Sequence, residues 1–195
     1  MEPIRTIEEI LPSLIVPVRL QGALANWEII KKYFPHLEER TQQNKAALVA
    51  TILVETASRF QPIKEFGGAA YFKSNYWENV KVRRSLGNMV PEDSWKYCGR
   101  GFIQLTGRAN YEKVGWKLKL DLLNNPDLLL LAVHSAGSLK CYWDDHGLTE
   151  VANRNCNEPD KLKREKNWME IRRRVNGGTN GREAYLHYLG RLGVL

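Results

Sequence analysis

Two glutamates, Glu55 and Glu65, stand in settings that would give their carboxyl groups different chemistry. Glu55 closes a run in which Ala46, Ala47, Leu48, Val49, Ala50, Ile52, Leu53 and Val54 are nearly unbroken. Apolar surroundings penalise the ionised form and raise a carboxyl's pKa. A group in that state keeps its proton near neutral pH and can act as a general acid. The same residue can also be a helix-terminal glutamate that turns to solvent and does nothing. Glu65 follows Pro62 and precedes Gly67-Gly68, so it falls on a loop, where a carboxylate is solvated and ionised. That suits a base that activates water, or an ordinary surface glutamate. A protonated and an ionised carboxyl in one chain is the pairing that glycoside hydrolysis uses. Its inverting form needs the two about 6.5–9.5 Å apart, with a water between base and sugar.

The elements that must position these groups read mostly as helices. Leu24, Trp27, Ile30 and Phe34 share one helical face, ended by Pro35. Asn44–Glu55, apolar all round, reads as a helix buried at the domain centre with Asn44 as its cap. Residues 59–96, broken by Pro62, Gly67-Gly68, Gly87 and Pro91, read as a long aromatic connection. Its Tyr71, Phe72, Tyr76 and Trp77 either stack on sugar rings or anchor loops. Gly99–Gly107 reads as a short strand bounded by glycines. Alternation would put Gln104 and Thr106 on one face, although Thr106 could equally satisfy its own backbone.

A short helix follows over Asn110–Lys117. Asn125-Pro126 opens another segment, which runs to Trp143 and stops at Gly147. Pro159–Val175 reads as a basic amphipathic helix with Trp168, Ile171 and Val175 on one side. Asn176–Gly181 is a turn-rich loop and Glu183–Leu192 a last helix. The sum is a mainly α domain with one small sheet, and 195 residues suit a single domain over 1–195.

Residues 99–111 spell Gly-Arg-Gly-Phe-Ile-Gln-Leu-Thr-Gly-Arg-Ala-Asn-Tyr. Val54-Glu55-Thr56 precedes this stretch; Asn124-Asn125-Pro126-Asp127-Leu128 and Arg174-Val175-Asn176-Gly177-Gly178 follow it. In this order and spacing, over roughly residues 45–190, the chain resembles glycoside hydrolase family 19, which includes plant chitinases and phage endolysins. The resemblance implies a lysozyme-like helical fold with a small β-hairpin or short sheet lining a sugar cleft, and an inverting acid/base mechanism that needs no cofactor. It implies Glu55 as general acid and Glu65 as general base, with Glu78 as the fallback for the base. It implies that Thr106 helps hold the attacking water and that Gln104 and Asn110 line the sugar site. Asn176 would lie on the opposite wall, with Arg174 and Tyr71 as further substrate contacts. Val54 stands where the family often has histidine. Residues 1–40 carry no family motif and are expected to form a helical extension packed on a 41–195 core.

The net charge of +7, from 29 basic and 22 acidic residues, predicts attraction to polyanions. His36, His134, His146 and His187 show no metal-ligand spacing, and neither do Cys98, Cys141 and Cys156, so no metal or cofactor is expected. The start lacks the order of a signal peptide and no stretch is apolar enough to span a membrane. The expectation is a monomeric enzyme made in a host cytoplasm that acts on the cell wall after release. Its expected substrate is bacterial peptidoglycan, with chitin the runner-up. The basic surface would hold it on an anionic envelope, and no nucleic-acid partner is expected. The rival reading is a non-enzymatic polyanion or membrane binder that uses the basic helix 161–174, which has seven basic and two acidic residues.

Overall fold

A computed structural model describes residues 6–35, 37 and 41–195. His36 and residues 1–5 and 38–40 lie outside the described residues. The chain forms two compact units. The first comprises the residues up to Phe60 together with Tyr142–Leu195; the second is Gln61–Cys141. Among the described residues, no helix is long and apolar enough to cross a membrane.

In the first unit, α1 (Ile7–Leu14) opens with a capping box in which Thr6 and Glu9 exchange hydrogen bonds. The next helix, α2 (Pro17–Tyr33), starts on a proline, whose fixed φ suits the first helical turn. It buries Ala23, Trp27 and Ile30, with Phe34 buried just beyond its end. Leu24, expected on that stripe, is only half-buried.

The central helix of this unit is α3 (Gln42–Glu55), buried from Ala46 to Leu53 as its all-round apolar character requires. Its cap is Thr41, not Asn44: the Thr41 hydroxyl accepts from the Asn44 N–H at 3.2 Å. Asn44 lies one turn inside, buried, and its amide donates to Thr41 and Asn153. Against α3 lie α9 (Leu148–Asn153), α10 (Lys161–Asn176) and α11 (Arg182–Arg191). Trp27, Trp143 and Trp168 are fully buried, and Phe34 meets Trp143 edge-on at 6.4 Å. Side chains of this size each stabilise the unit by about 1.5–3 kcal/mol.

The second unit departs further from the sequence reading. Residues 59–96 are not one long connection. They hold β1 (Ile63–Lys64), α4 (Ala69–Lys73), a π-helical turn (Ser74–Glu78), α5 (Val80–Leu86) and α6 (Asp93–Lys96). Helices this short cannot form alone. Aromatic packing holds them: Phe72 stacks on Tyr76 at 6.1 Å, and the Arg83 guanidinium covers Trp77 at 4.5 Å.

The strand expected over Gly99–Gly107 shrinks to β2 (Arg100–Gly101), which pairs antiparallel with β1, Ile63 opposite Gly101. The chain then reverses, because Arg100 and Leu105 exchange both backbone hydrogen bonds, at 3.2 and 2.9 Å. Gly101 takes φ 88° here, and a Cβ at that position would meet the Ser135 hydroxyl at 2.7 Å. Buried Arg100 fastens the turn. It reaches Asp127 at 2.6 Å, the Lys96 and Cys98 carbonyls, and the Tyr111 hydroxyl. After α7 (Arg108–Leu118), Pro126 begins a 3-10 turn, Pro126–Leu130, in which Asn125 makes no side-chain cap. The long helix α8 (Ala132–Asp145) follows.

Candidate active site

Glu55 is the last residue of α3, and the backbone beyond it is wound unusually. Ala57, Ser58 and Phe60 all have left-handed φ, of 48°, 60° and 51°. Each such non-glycine residue costs about 1–2 kcal/mol, so the surroundings must enforce the path. The Thr56 hydroxyl donates to the Ile52 carbonyl at 2.6 Å and accepts from the Phe60 N–H at 3.0 Å. Ser58 is hydrogen-bonded to the Tyr188 hydroxyl, and the Asn26 amide donates to the Phe60 carbonyl. Strained backbone held this firmly is a mark of functional sites.

The Glu55 side chain is only 12% exposed and receives a hydrogen bond from Arg172 Nη1 at 2.8 Å. Arg172 is itself 1% exposed. Its Nη2 donates to the Asn180 carbonyl at 2.9 Å and its guanidinium lies over the Tyr185 ring at 5.5 Å. Burial pushes the Glu55 carboxyl up and the Arg172 charge pulls it back; the outcome stays above the usual carboxylate range. The half-buried Tyr142 hydroxyl is pushed up to about 12, first by burial and then by the Glu55 charge. Val54, just before Glu55, packs against the Asn176–Gly181 loop; a Cβ on Gly181 would meet its Cγ1 at 2.7 Å.

The other first-unit residues expected at the site are bound within the protein. Arg174 donates to the His146 carbonyl at 2.6 Å and pairs with Glu170. Asn176 accepts from the Gly178 N–H at 2.9 Å and donates to the Asn180 carbonyl at 2.8 Å, which fixes the Asn-Gly-Gly loop. Asn180 thereby joins Asn176 to Arg172, and Arg172 to Glu55.

In the second unit, Glu65 directly follows β1 and is half-buried rather than freely solvated. Its carboxylate accepts from the Tyr76 hydroxyl at 2.7 Å and from the Gly99 N–H at 2.9 Å, while its own N–H donates to the Gly99 carbonyl at 2.8 Å. Burial, then the neighbouring carboxylate, pushes the Tyr76 hydroxyl up, so it stays a donor at every working pH. Gln104 sits in the turn with φ 51°, not on a strand face. Its amide donates to the Ile63 and Gly101 carbonyls, both at 3.0 Å. The Thr106 hydroxyl donates to the Gln104 carbonyl at 2.9 Å, and Asn110 donates to the Thr106 carbonyl at 2.7 Å. Glu65, Gln104 and Thr106 thus hang on one scaffold of β1, β2 and the turn, and Asn110 reaches it from the first turn of α7. Tyr71 is half-exposed and meets Phe72 edge-on at 5.3 Å. Glu78 is exposed.

Sequence reasoning missed Arg172 and Tyr76. A signal for Arg172 was present: it falls four residues after Trp168, on the apolar stripe of α10, where a charge needs a buried partner. Tyr76 was noticed only as an aromatic. Its hydroxyl is a measurable part of the site. Tyr76→Phe removes a hydrogen bond to a charged group, worth about 1.5–3 kcal/mol. The expected result is a roughly ten- to hundredfold loss of turnover with the fold kept, measured by steady-state kinetics beside circular dichroism.

Residues 38–143, more than half of the chain, match the family described as Chitinase class I. Over 104 residues the chain is 33% identical to a glycosyl hydrolase family 19 domain-containing protein of Haemophilus influenzae, covering 51% of this chain and 42% of that protein. Over 38 residues it is 55% identical to acidic endochitinase Q of Nicotiana tabacum, covering 20% of this chain and 15% of the relative. The matched stretches thus span less than half the length of these relatives. The fold is similar to that of a bacterial family 19 chitinase, with a TM-score of 0.63 at 20% identity, covering 96% of this chain and 93% of that one.

Proposed function

The chain belongs to glycoside hydrolase family 19, and from that premise we propose that it hydrolyses β-1,4 bonds in polymers of N-acetylglucosamine, with chitin as the first substrate. The observation that carries this reading is Glu55: a carboxyl at the end of a buried helix, raised by burial and aimed by Arg172. Protonated Glu55 gives its proton to the glycosidic oxygen as the bond to the leaving sugar breaks. Glu65, accepting from Tyr76 and Gly99, takes a proton from the water that attacks the anomeric carbon. The anomeric configuration inverts, and Glu55 ends ionised beside Arg172. Thr106 spends its hydroxyl proton on the Gln104 carbonyl, so its oxygen lone pairs remain to accept from that water.

Chitin stands ahead of the peptidoglycan expected from the sequence, because the matching family is described by chitinase. Peptidoglycan is the second reading. It rests on the net charge of +7 and on the exposed Lys161, Lys163, Lys166 and Arg173 of α10. The basic helix is less of a polyanion surface than its composition suggests. Arg172 is buried on Glu55, Arg174 pairs with Glu170, and Arg164 donates to the Glu158 and Pro159 carbonyls. A chitin-oligosaccharide assay run beside a turbidity assay on outer-membrane-permeabilised bacteria tests the order. Release of short sugars from chitin oligomers is expected. Rapid bacterial lysis without chitin cleavage would reverse the two readings.

A further inference from the structure

Trp116 has no part in the networks around Glu55 and Glu65, yet the residue is 83% exposed near the end of α7. The corner that carries it is built rather than loose. Gly115, beside it, is buried, and a Cβ there would lie 2.7 Å from the Leu120 carbonyl oxygen. That close approach lets the Leu120 N–H donate to the Gly115 carbonyl at 2.9 Å, folding the chain back on the helix. Lys119 closes α7 in the left-handed region, at φ 56°, with its N–H on the Trp116 carbonyl at 3.3 Å. The Asp121 carboxylate is fixed by the Asn124 N–H at 3.2 Å and by the Asn124 side-chain amide. Gly115, Trp116, Lys117, Lys119, Leu120 and Asp121 border an open hollow of about 630 Å³.

The chemistry of this corner selects its occupant. The one broad apolar face is the indole, and the exposed residues around it are charged: Glu112, Lys113, Lys117, Lys119 and Asp121. A protein interface core is depleted in such residues. A membrane anchor needs more apolar surface than one ring, and Glu112 and Asp121 oppose an anionic headgroup layer. A pyranose ring offers what the corner lacks: a flat C–H face for the indole and a rim of hydroxyl and amide groups. Lys119 can donate to that rim. Asp121 retains lone pairs that can accept from it.

We propose that Trp116 and the Lys119–Asp121 turn form an auxiliary binding site for β-1,4-linked N-acetylglucosamine chains, sharing no residue with the carboxyl networks. The identity of the sugar rests on the proposed function. A second contact on one polymer raises the local concentration of enzyme along it. The site therefore acts on insoluble polymer and not on short soluble oligomers.

The test measures adsorption of wild type, Trp116→Ala and Trp116→Phe to insoluble chitin at ice temperature. Hydrolysis of a soluble tetrasaccharide and binding to anionic phosphatidylglycerol vesicles are measured in parallel. Trp116→Ala is expected to weaken adsorption about tenfold, the scale of one lost aromatic stacking contact. Trp116→Phe should keep most of it, and tetrasaccharide kcat/KM should be unchanged in both. Absent adsorption of the wild type, equal adsorption by Trp116→Ala, or a loss confined to the vesicles would overturn the site. Absent tetrasaccharide cleavage by the wild type would count against the proposed function, while Trp116-dependent adsorption decides the auxiliary site separately.

Discussion

Replacing Glu55 with glutamine lowers turnover of N-acetylglucosamine oligomers by at least about 10²–10⁴-fold, the usual contribution of a positioned proton donor. Glutamine keeps the shape of the side chain and can still accept from Arg172, but it has no proton to give. Initial rates by product chromatography, with a far-ultraviolet spectrum to verify folding, measure the effect. The wild type adds a signature in pH. The Glu55 pKa lies above the usual carboxylate range, so the protonated acid persists at pH values where a surface glutamate has ionised. Activity therefore holds through that window and falls on the alkaline side as pH passes the raised value. Stability follows the same sign. The favourable contribution from protonated Glu55 is fully present below the ordinary pKa and is lost as pH rises through the folded one. Undiminished hydrolysis by Glu55→Gln would remove Glu55 from the mechanism.

Arg172→Ala is expected to damage both stability and catalysis. It leaves Glu55 buried without its cation and the Asn180 carbonyl without its donor. Glu55 takes up a proton once its cation is gone, so the cost falls mainly on the Asn180 carbonyl that loses this donor, about 1–3 kcal/mol. In a chain of this length that corresponds to a fall of roughly 2–12 °C in the melting temperature. Calorimetry measures it. Activity separates a structural role from an electrostatic one. The Arg172 charge lowers the Glu55 pKa, so its loss lets burial act unopposed and moves the alkaline limb of the rate profile to higher pH. Arg172→Lys restores a charge without the forked geometry and should bring the limb part of the way back. An alkaline limb that stays in place in Arg172→Ala would mean that a group other than Glu55 governs it.

The central helix could be read in the sequence because Ala46–Val54 is apolar at every phase of the helical period, and only a buried helix tolerates that. The place of Glu55 at its end was legible for the same reason. Its cap was misplaced by three residues because Thr41 and Asn44 are both good cap residues, and only the fold decides which one turns inward. Arg172 was concealed by counting. Seven basic residues in fourteen suggest a solvated face, and composition carries no depth. Only the phase of Trp168, Ile171 and Arg172 on α10 does.

The network of the second unit was less accessible still. Glu65 takes its partners from a tyrosine eleven residues on and from a backbone N–H thirty-four residues away. Neither separation leaves a local pattern. The Gly99–Gly107 segment reads as a strand because glycines bound it. Arg100, buried on Asp127 and Tyr111, instead ties it into a tight reversal through long-range bonds. The motif named the family correctly although the conformation inferred for it was too regular.

The most direct measurement of the central claim is the proton spectrum of a chitin hexasaccharide recorded during the first minutes of hydrolysis, before the free sugar ends equilibrate. Proton donation by Glu55 and water activation by Glu65 predict that the new reducing ends appear as the α-anomer, inverted from the β-linked substrate. New ends appearing as the β-anomer, or no cleavage of the oligomer, would contradict the mechanism derived from these two carboxyl groups.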